Sequence, residues 1–157
     1  MSTGAPVVVI TGASGGIGAA VARQLAREGR RLVLGLTLAL QGQLDEAERV
    51  LREATGLATA ATYTRVTLAY ALAKGGRRDY AETLLEELEE KQRRDYVSPV
   101  ELATLHIGLG NLEQALDWAE HAFEERRGWM AYLNVHPVVD PLRGHPRFTA
   151  LAQKMGL

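Results

Sequence analysis

The sequence predicts a mainly α fold: a solenoid of about three helix pairs, closed by a C-terminal capping helix and preceded by a short strand–turn–helix appendage. Three observations carry this. Small residues recur at a step of 34, as Ala47, Ala81 and Ala115. Glycines keep the same step, as Gly42, Gly76 and Gly110. Apolar columns run beside them in register: Leu34, Leu68, Leu102; Leu38, Leu72, His106; Leu51, Leu85, Ala119; and Ala54, Leu88, Ala122. Self-similarity at this length marks stacked supersecondary units, each too small to bury its own apolar face.

Composition sets the frame for that reading. With 46% hydrophobic and 24% charged residues, the chain can build an ordinary globular core. Its net charge of −1 creates no field drawing it to nucleic acid. The charge is uneven: residues 1–34 hold four Arg and one Glu (+3), leaving 14 basic and 18 acidic residues (−4) in 35–157. The absence of cysteine excludes disulfides, thiolate catalysis and Cys-based zinc sites, and fits the cytoplasm. Residues 1–22 carry no charge, but they lack the basic start and leucine-rich centre of a signal peptide. No stretch has the length and apolarity of a membrane span.

The elements follow in order. Pro6–Ile10 reads as a buried strand, Thr11-Gly12-Ala13-Ser14-Gly15-Gly16-Ile17-Gly18 as a glycine turn, and 15–28 as a helix. Each repeat is then a helix, a Gly turn and a second helix. Helix A of the first repeat is expected over 30–41, stopped by Gly42 in the left-handed position that suits glycine. Its helix B opens on Leu44-Asp45-Glu46, acids placed where the helix dipole favours them, with apolar positions at 47, 50, 51 and 54. The second repeat reads Leu68, Leu72, Gly76, then Ala81, Leu84, Leu85, Leu88. The third reads Leu102, Leu105, Gly110, then Ala115, Trp118, Ala119, Ala122. Ser98-Pro99-Val100-Glu101 gives its helix A a capping Ser, a first-turn Pro and a Glu at the third position. Pro146 starts a last helix that ends at Gly156.

This 34-residue step of helix pairs resembles the tetratricopeptide (TPR) family. The family's Leu-Gly pair stands as Leu34-Gly35, and becomes Leu68-Ala69 and Leu102-Ala103; its small residue in helix B is Ala47, Ala81 and Ala115. Its early aromatic is missing at Arg31, Arg65 and Pro99, and Leu88 and His106 depart from its pattern. The resemblance covers about residues 28–129 and implies a right-handed α-solenoid that binds a peptide or protein without catalysis. The run from Trp129 through His136-Pro137, Asp140-Pro141 and His145-Pro146 resembles the closing segment of TPR regions in bacterial signalling and regulatory proteins. The division expected is therefore 1–29 as an N-terminal cap, 30–128 as three repeats and 129–157 as a C-terminal cap.

The N-terminal motif resembles the start of short-chain dehydrogenases/reductases. In that family the turn, here Gly12, Ser14, Gly16, Ile17 and Gly18, sits against the pyrophosphate of NAD or NADP. The resemblance stops after about 34 residues. No later strand–helix units follow, and no acidic residue stands near Leu36–Leu38 for the ribose hydroxyls. The family's Tyr-x-x-x-Lys spacing occurs at Tyr70 and Lys74, but about 55 residues after the turn and with no catalytic Ser at a suitable distance before it. Those two also fit as groove positions of the second repeat. Ala13, Ile17 and Ala20 precede Ala47, Leu51 and Ala54 by 34, so residues 15–28 are expected to cap the first repeat as a lone helix B. Val7–Ile10 is then expected to lack a partner strand in the chain. The junction reads as a fusion, or chimera, of two unrelated pieces, natural or designed.

The function expected is a non-catalytic interaction module, with no cofactor and no catalytic residues. The partner-binding positions on the helix A face are Leu36, Tyr63, Val66, Tyr70, Lys74, Val97, Val100, Thr104 and Ile107. Tyr63 and Tyr70 supply rigid amphipathic contacts and Lys74 meets a carboxylate; packing against neighbouring helices is the competing role for several of them. The alternative is a reductase-like protein binding NAD or NADP at the glycine turn. His106, His121, His136 and His145 have no metal-ligand spacing. The acids Glu82, Glu86, Glu87, Glu89 and Glu90 read as a solvated face. The pairs Arg77-Arg78, Arg93-Arg94 and Arg126-Arg127 fall at turns and helix ends, without the interleaved aromatics of a nucleic-acid surface. Three repeats are near the minimum for stability, so end caps or homodimerisation should matter.

Overall fold

Gly42, Gly76, Gly110 and Gly144 all adopt left-handed backbone, with φ of +76°, +82°, +79° and +86°. The glycine step of 34 thus extends to a fourth copy that the sequence reading stopped short of. At the first three, the two amides after the helix close onto it: Gly42 N–H donates to Ala39 O and Gln43 N–H to Leu38 O, and the same pair of bonds forms at Gly76 and Gly110. These are Schellman closures, which need the conformation that glycine adopts without a Cβ penalty.

The structure is a computed structural model. It describes residues 7–9, 31–33, 35–55 and 62–157, with side chains over 38–52 and 62–157. Strands β1 (Val7–Val9) and β2 (Arg31–Val33) are followed by helices α1 (Gly35–Leu40), α2 (Leu44–Thr55), α3 (Thr62–Lys74), α4 (Asp79–Gln92), α5 (Pro99–Leu109) and α6 (Leu112–Glu124). Two 3₁₀ turns, Gly128–Tyr132 and Pro137–Leu142, lead into α7 (Pro146–Lys154). The expected helix-pair solenoid is present as α1–α2, α3–α4 and α5–α6.

The entry to the first repeat departs from expectation. Helix A was placed over 30–41, yet it begins at Gly35. Arg31–Val33 is extended and pairs in parallel with β1, in the register Val7 with Arg31, Val8 with Leu32 and Val9 with Val33. The N-terminal strand therefore has the partner it was expected to lack. Leu32 and Val33 are apolar and Val33 is β-branched, so the run suits a strand as well as a helix, and pairing with β1 decides for the strand. A parallel pair needs a long crossover, and 21 residues separate the two strands. The glycine turn and the expected helix over 15–28, including Ala13, Ile17 and Ala20, lie outside the described residues.

Ala47, Ala81 and Ala115 are each 0% exposed, where the small side chain lets the paired helices approach. Helices α3 and α5 are buried on every side: Val66–Ala73 without a break, and Pro99, Val100 and Leu102–Leu109. A helix apolar all round must be covered all round. On one side, Val66, Ala69 and Ala73 pack with Ala81, Leu84 and Leu88 of α4 and with Leu102, Leu105 and Leu109 of α5. On the other, Leu68, Tyr70 and Leu72 join a cluster running from Ala47 and Leu51 of α2 to Leu133, Leu142 and Leu151 of the C-terminal segment. Ser98 occupies the N-cap position of α5 with Pro99 beside it, but its hydroxyl makes no cap bond. In the fourth copy helix A is replaced by 3₁₀ turns. Pro137 opens the second turn and Pro141 interrupts it, denying the ladder an N–H.

Candidate partner-binding surface

Most of the predicted groove is not free. Val66 and Val97 are 0% and 4% exposed and belong to the α3–α4–α5 core, so they present no surface to a partner. Val100, Thr104 and Ile107 are also buried, because Met130, Leu133, Val139 and Leu142 lie over α5 and α6. The void left between them is about 10 Å³, no more than the ~10–15 Å³ that one water needs. Thr104 spends its hydroxyl on Val100 O at 2.8 Å. Tyr70 is 2% exposed and lies against Gly108, where a Cβ would sit 3.2 Å from both its Cα and its Cδ2. The middle of the helix A face is thus filled by the chain's own C-terminal segment. The side chain of Leu36 lies outside the described residues.

Tyr63 and Lys74 stay accessible at opposite ends of α3. Burial raises the phenol pKa of Tyr63, against a smaller lowering by Thr67. It also raises that of Tyr70, with Asp140 adding to it. Lys74 is exposed and has no hydrogen bond or ion pair among the described residues. Tyr70 is thus buried while Lys74 is exposed, so the two do not meet at one open surface. The glycine-turn positions Gly12, Ser14, Gly16, Ile17 and Gly18 lie outside the described residues.

Each open end of this face holds a cleft with cations. Beside Lys74, a cleft of about 360 Å³ is lined by Arg78, Ile107, Leu112 and Pro141. Arg78 donates to Leu109 O at 2.8 Å and pairs with Glu82 at 3.1 Å. At the Tyr63 end, a cleft of about 300 Å³ is lined by Val100, Glu101, Arg126, Arg127 and Trp129. Burial raises the Glu101 carboxyl above its ordinary range, partly offset by Lys91 and Arg127. Arg127 lies over the Tyr96 ring at 5.2 Å, and the Tyr96 hydroxyl donates to Glu125 at 2.9 Å.

Arg126 was read only as half of a basic pair at a helix end. The structure gives it a φ of +54°, the only left-handed non-glycine among the described residues. Its N–H donates to Phe123 O and that of Arg127 to Ala122 O, at 2.9 and 3.0 Å. This is the closure that Gly42, Gly76 and Gly110 make at the ends of α1, α3 and α5, and holding a Cβ there costs about 1–2 kcal/mol. Nothing in the sequence marks it, because left-handed backbone is set by how α6 ends and not by composition.

Elsewhere the surface is stitched by ion pairs. Arg147 of α7 joins Glu113, Asp117 and Glu120 of α6 at 3.0, 2.6 and 2.9 Å. Those acids raise the Arg147 pKa, and Arg147 with His145 lowers that of Glu113. Arg65 and Glu87 pair through two contacts, 2.7 and 2.5 Å, which lower the Glu87 pKa. Arg77 of the second turn pairs with Glu48 of α2. His121 is exposed beside Glu125 at 3.2 Å. His136 and His145 each accept a backbone N–H at Nδ1, from Val138 and Arg147 at 3.3 Å. His106 is 5% exposed.

Helix pairs at a fixed step, closed by left-handed glycines and packed into two apolar clusters on either side of α3 and α5, define a helical-repeat protein. The tetratricopeptide repeat family model matches residues 29–53, 62–87 and 100–121, so the chain carries three tetratricopeptide repeats. The first match includes the residues of β2. No curated protein and no solved structure matches the chain.

Proposed function

We propose that the chain is a non-catalytic module that binds a peptide or protein through the helix A face of its repeats. Repeats of this kind mediate protein–protein interaction, typically without catalysis. The observation that carries the reading here is the layout of that face. Its centre is closed by residues 130–142, while both ends keep open clefts with cationic walls, the one at Tyr63 also lined by aromatic rings. Tyr63 and Lys74 are the contact residues retained from the predicted set. Residues 30–128 form the binding body on this reading, with 129–157 as a C-terminal cap and 1–29 as an N-terminal one. No described helix is long and apolar enough to cross a membrane, and the proposed setting is the cytoplasm. With three repeats near the minimum for stability, homodimerisation is proposed as a further source of it.

A photo-cross-linking amino acid tests this. It is placed at Tyr63 or Lys74 and, as a control, at Thr83 or Glu86 on the exposed side of α4, in the full chain in its source organism. The expected result is discrete protein adducts from the first two positions and none from the last two. Adducts of equal yield from α4, or none from Tyr63 and Lys74, refute the reading.

A second reading has one observation in its favour. The parallel pairing of β1 and β2 is the strand arrangement of a dinucleotide-binding unit, so an NAD or NADP site at Gly12, Ser14, Gly16, Ile17 and Gly18 is the alternative. Against it, the described sheet has two strands and the chain enters α1 directly after β2. Calorimetric titration with NADH and NADPH decides it: saturable binding abolished by Gly16→Val supports the alternative, and absence of heat removes it.

A further inference from the structure

We propose that the Tyr63–Trp129 cleft is an acceptor for an acidic residue of a bound peptide, with Arg126 as the group that pairs with its carboxylate. The proposal rests on the interaction-module reading and names the chemistry of its partner.

Arg126 sits in left-handed backbone at the closure of α6, a place where glycine would be relaxed. Its side chain makes no hydrogen bond, ion pair or ring contact among the described residues and lines the cleft. Glycine would make the same two closing backbone bonds without the Cβ penalty, so the turn itself does not call for an arginine side chain. The residue lines a cleft, and its neighbours there describe an occupant. Tyr63, Val100 and Trp129 give apolar and aromatic walls. Arg127 adds a second cation, held over Tyr96. Glu101 adds one half-buried carboxyl group.

That mixture separates ligand classes. A phosphoryl group would meet the Arg126–Arg127 pair but would also face Glu101, which repels a dianion. A peptide bearing Asp or Glu satisfies both signs. Its carboxylate meets the guanidinium, its backbone N–H groups have Glu101 and Ser98 as acceptors, and an adjacent apolar side chain lies between Tyr63 and Trp129. The cleft of about 300 Å³ suits a short stretch of peptide and not a folded domain.

The test uses the substitution that the backbone itself favours. Arg126→Gly removes the side chain and keeps the closure, so the variant should melt at or above the wild type. Full-length protein is applied to an array of acetylated, amidated hexapeptides, and bound peptides are measured by fluorescence anisotropy. The expected set is rich in Asp or Glu beside an apolar residue. Arg126→Gly should weaken those peptides about tenfold, as loss of one charge-assisted contact does. Replacing the peptide's acid by its amide should cost the wild type the same factor and the variant nothing. Neutral or basic selected peptides, no bound peptide, or affinities unmoved by Arg126→Gly overturn the proposal. So does inorganic phosphate that displaces the peptides or binds in their stead. Peptides lost on Lys74→Ala but kept by Arg126→Gly would overturn this site and leave the module reading standing.

Discussion

Replacing His106 by Leu should stabilise the protein, most of all under mild acid. His106 stands in a column otherwise filled by Leu38 and Leu72, is 5% exposed, and buries an Nδ1 with no hydrogen-bond partner. An unsatisfied buried polar atom costs about 1–3 kcal/mol, and Leu fits the position as Leu72 fits the preceding repeat. The variant should therefore gain about 1–3 kcal/mol at neutral pH, raising Tm by roughly 3–10 °C. Burial lowers the His106 pKa below its ordinary 6.5, opposed by Glu89 of α4 and Asp117 of α6. His136 is lowered by burial too, opposed by Asp140. For both, the unfolded chain takes up a proton first as pH falls. Stability is full above about 6.5 and declines below it, until the folded pKa is reached, with a slope of up to ~1.4 kcal/mol per pH unit per histidine. The variant should keep only the His136 share of that slope. Urea unfolding of both proteins at several pH values between 5 and 7.5 measures each quantity. A variant no more stable than wild type at neutral pH, or one with an undiminished acid slope, would show that the imidazole has a partner and that the reasoning is wrong.

Three further outcomes follow from the packing. Gly108→Val should cost about 1–3 kcal/mol in denaturant unfolding, because the new Cβ meets Tyr70 backbone at 3.2 Å and α3 must part from α5. Leu142→Ala empties a fully buried site over α5 and α6 and should cost about 2–5 kcal/mol, with increased binding of an apolar dye as the C-terminal segment loosens. Arg147→Met leaves Glu113, Asp117 and Glu120 facing one another, so its Tm should fall at low salt and recover as salt screens them. Since Glu113 is held below its ordinary pKa, the stabilisation that Arg147 brings is present at neutral pH and lost as pH falls through that lowered value.

The glycine and alanine columns made the repeat legible because both report purely local requirements. A left-handed closure calls for Gly at 42, 76 and 110, and a close helix contact calls for Ala at 47, 81 and 115. The same arithmetic would have reached Gly144, but prolines at 137 and 141 mask the fourth helix A. Arg31–Val33 reads as helix but forms a strand because a short apolar run suits either state, and pairing with residues 24 positions earlier decides which. Of the predicted contact set, Tyr63 and Lys74 kept their surfaces, while Val66, Val97, Val100, Thr104 and Ile107 went into packing.

Period, helix pairing and turn positions were thus determined by the sequence alone, since each depends on residues within one repeat. Which face remains open was decided only by tertiary structure. Residues 130–142 lie over α5 because Leu133, Val139 and Leu142 bury more apolar surface there than in water. That covering depends on contacts some 30 residues apart, and among the described residues it leaves a cleft open at each end of α3.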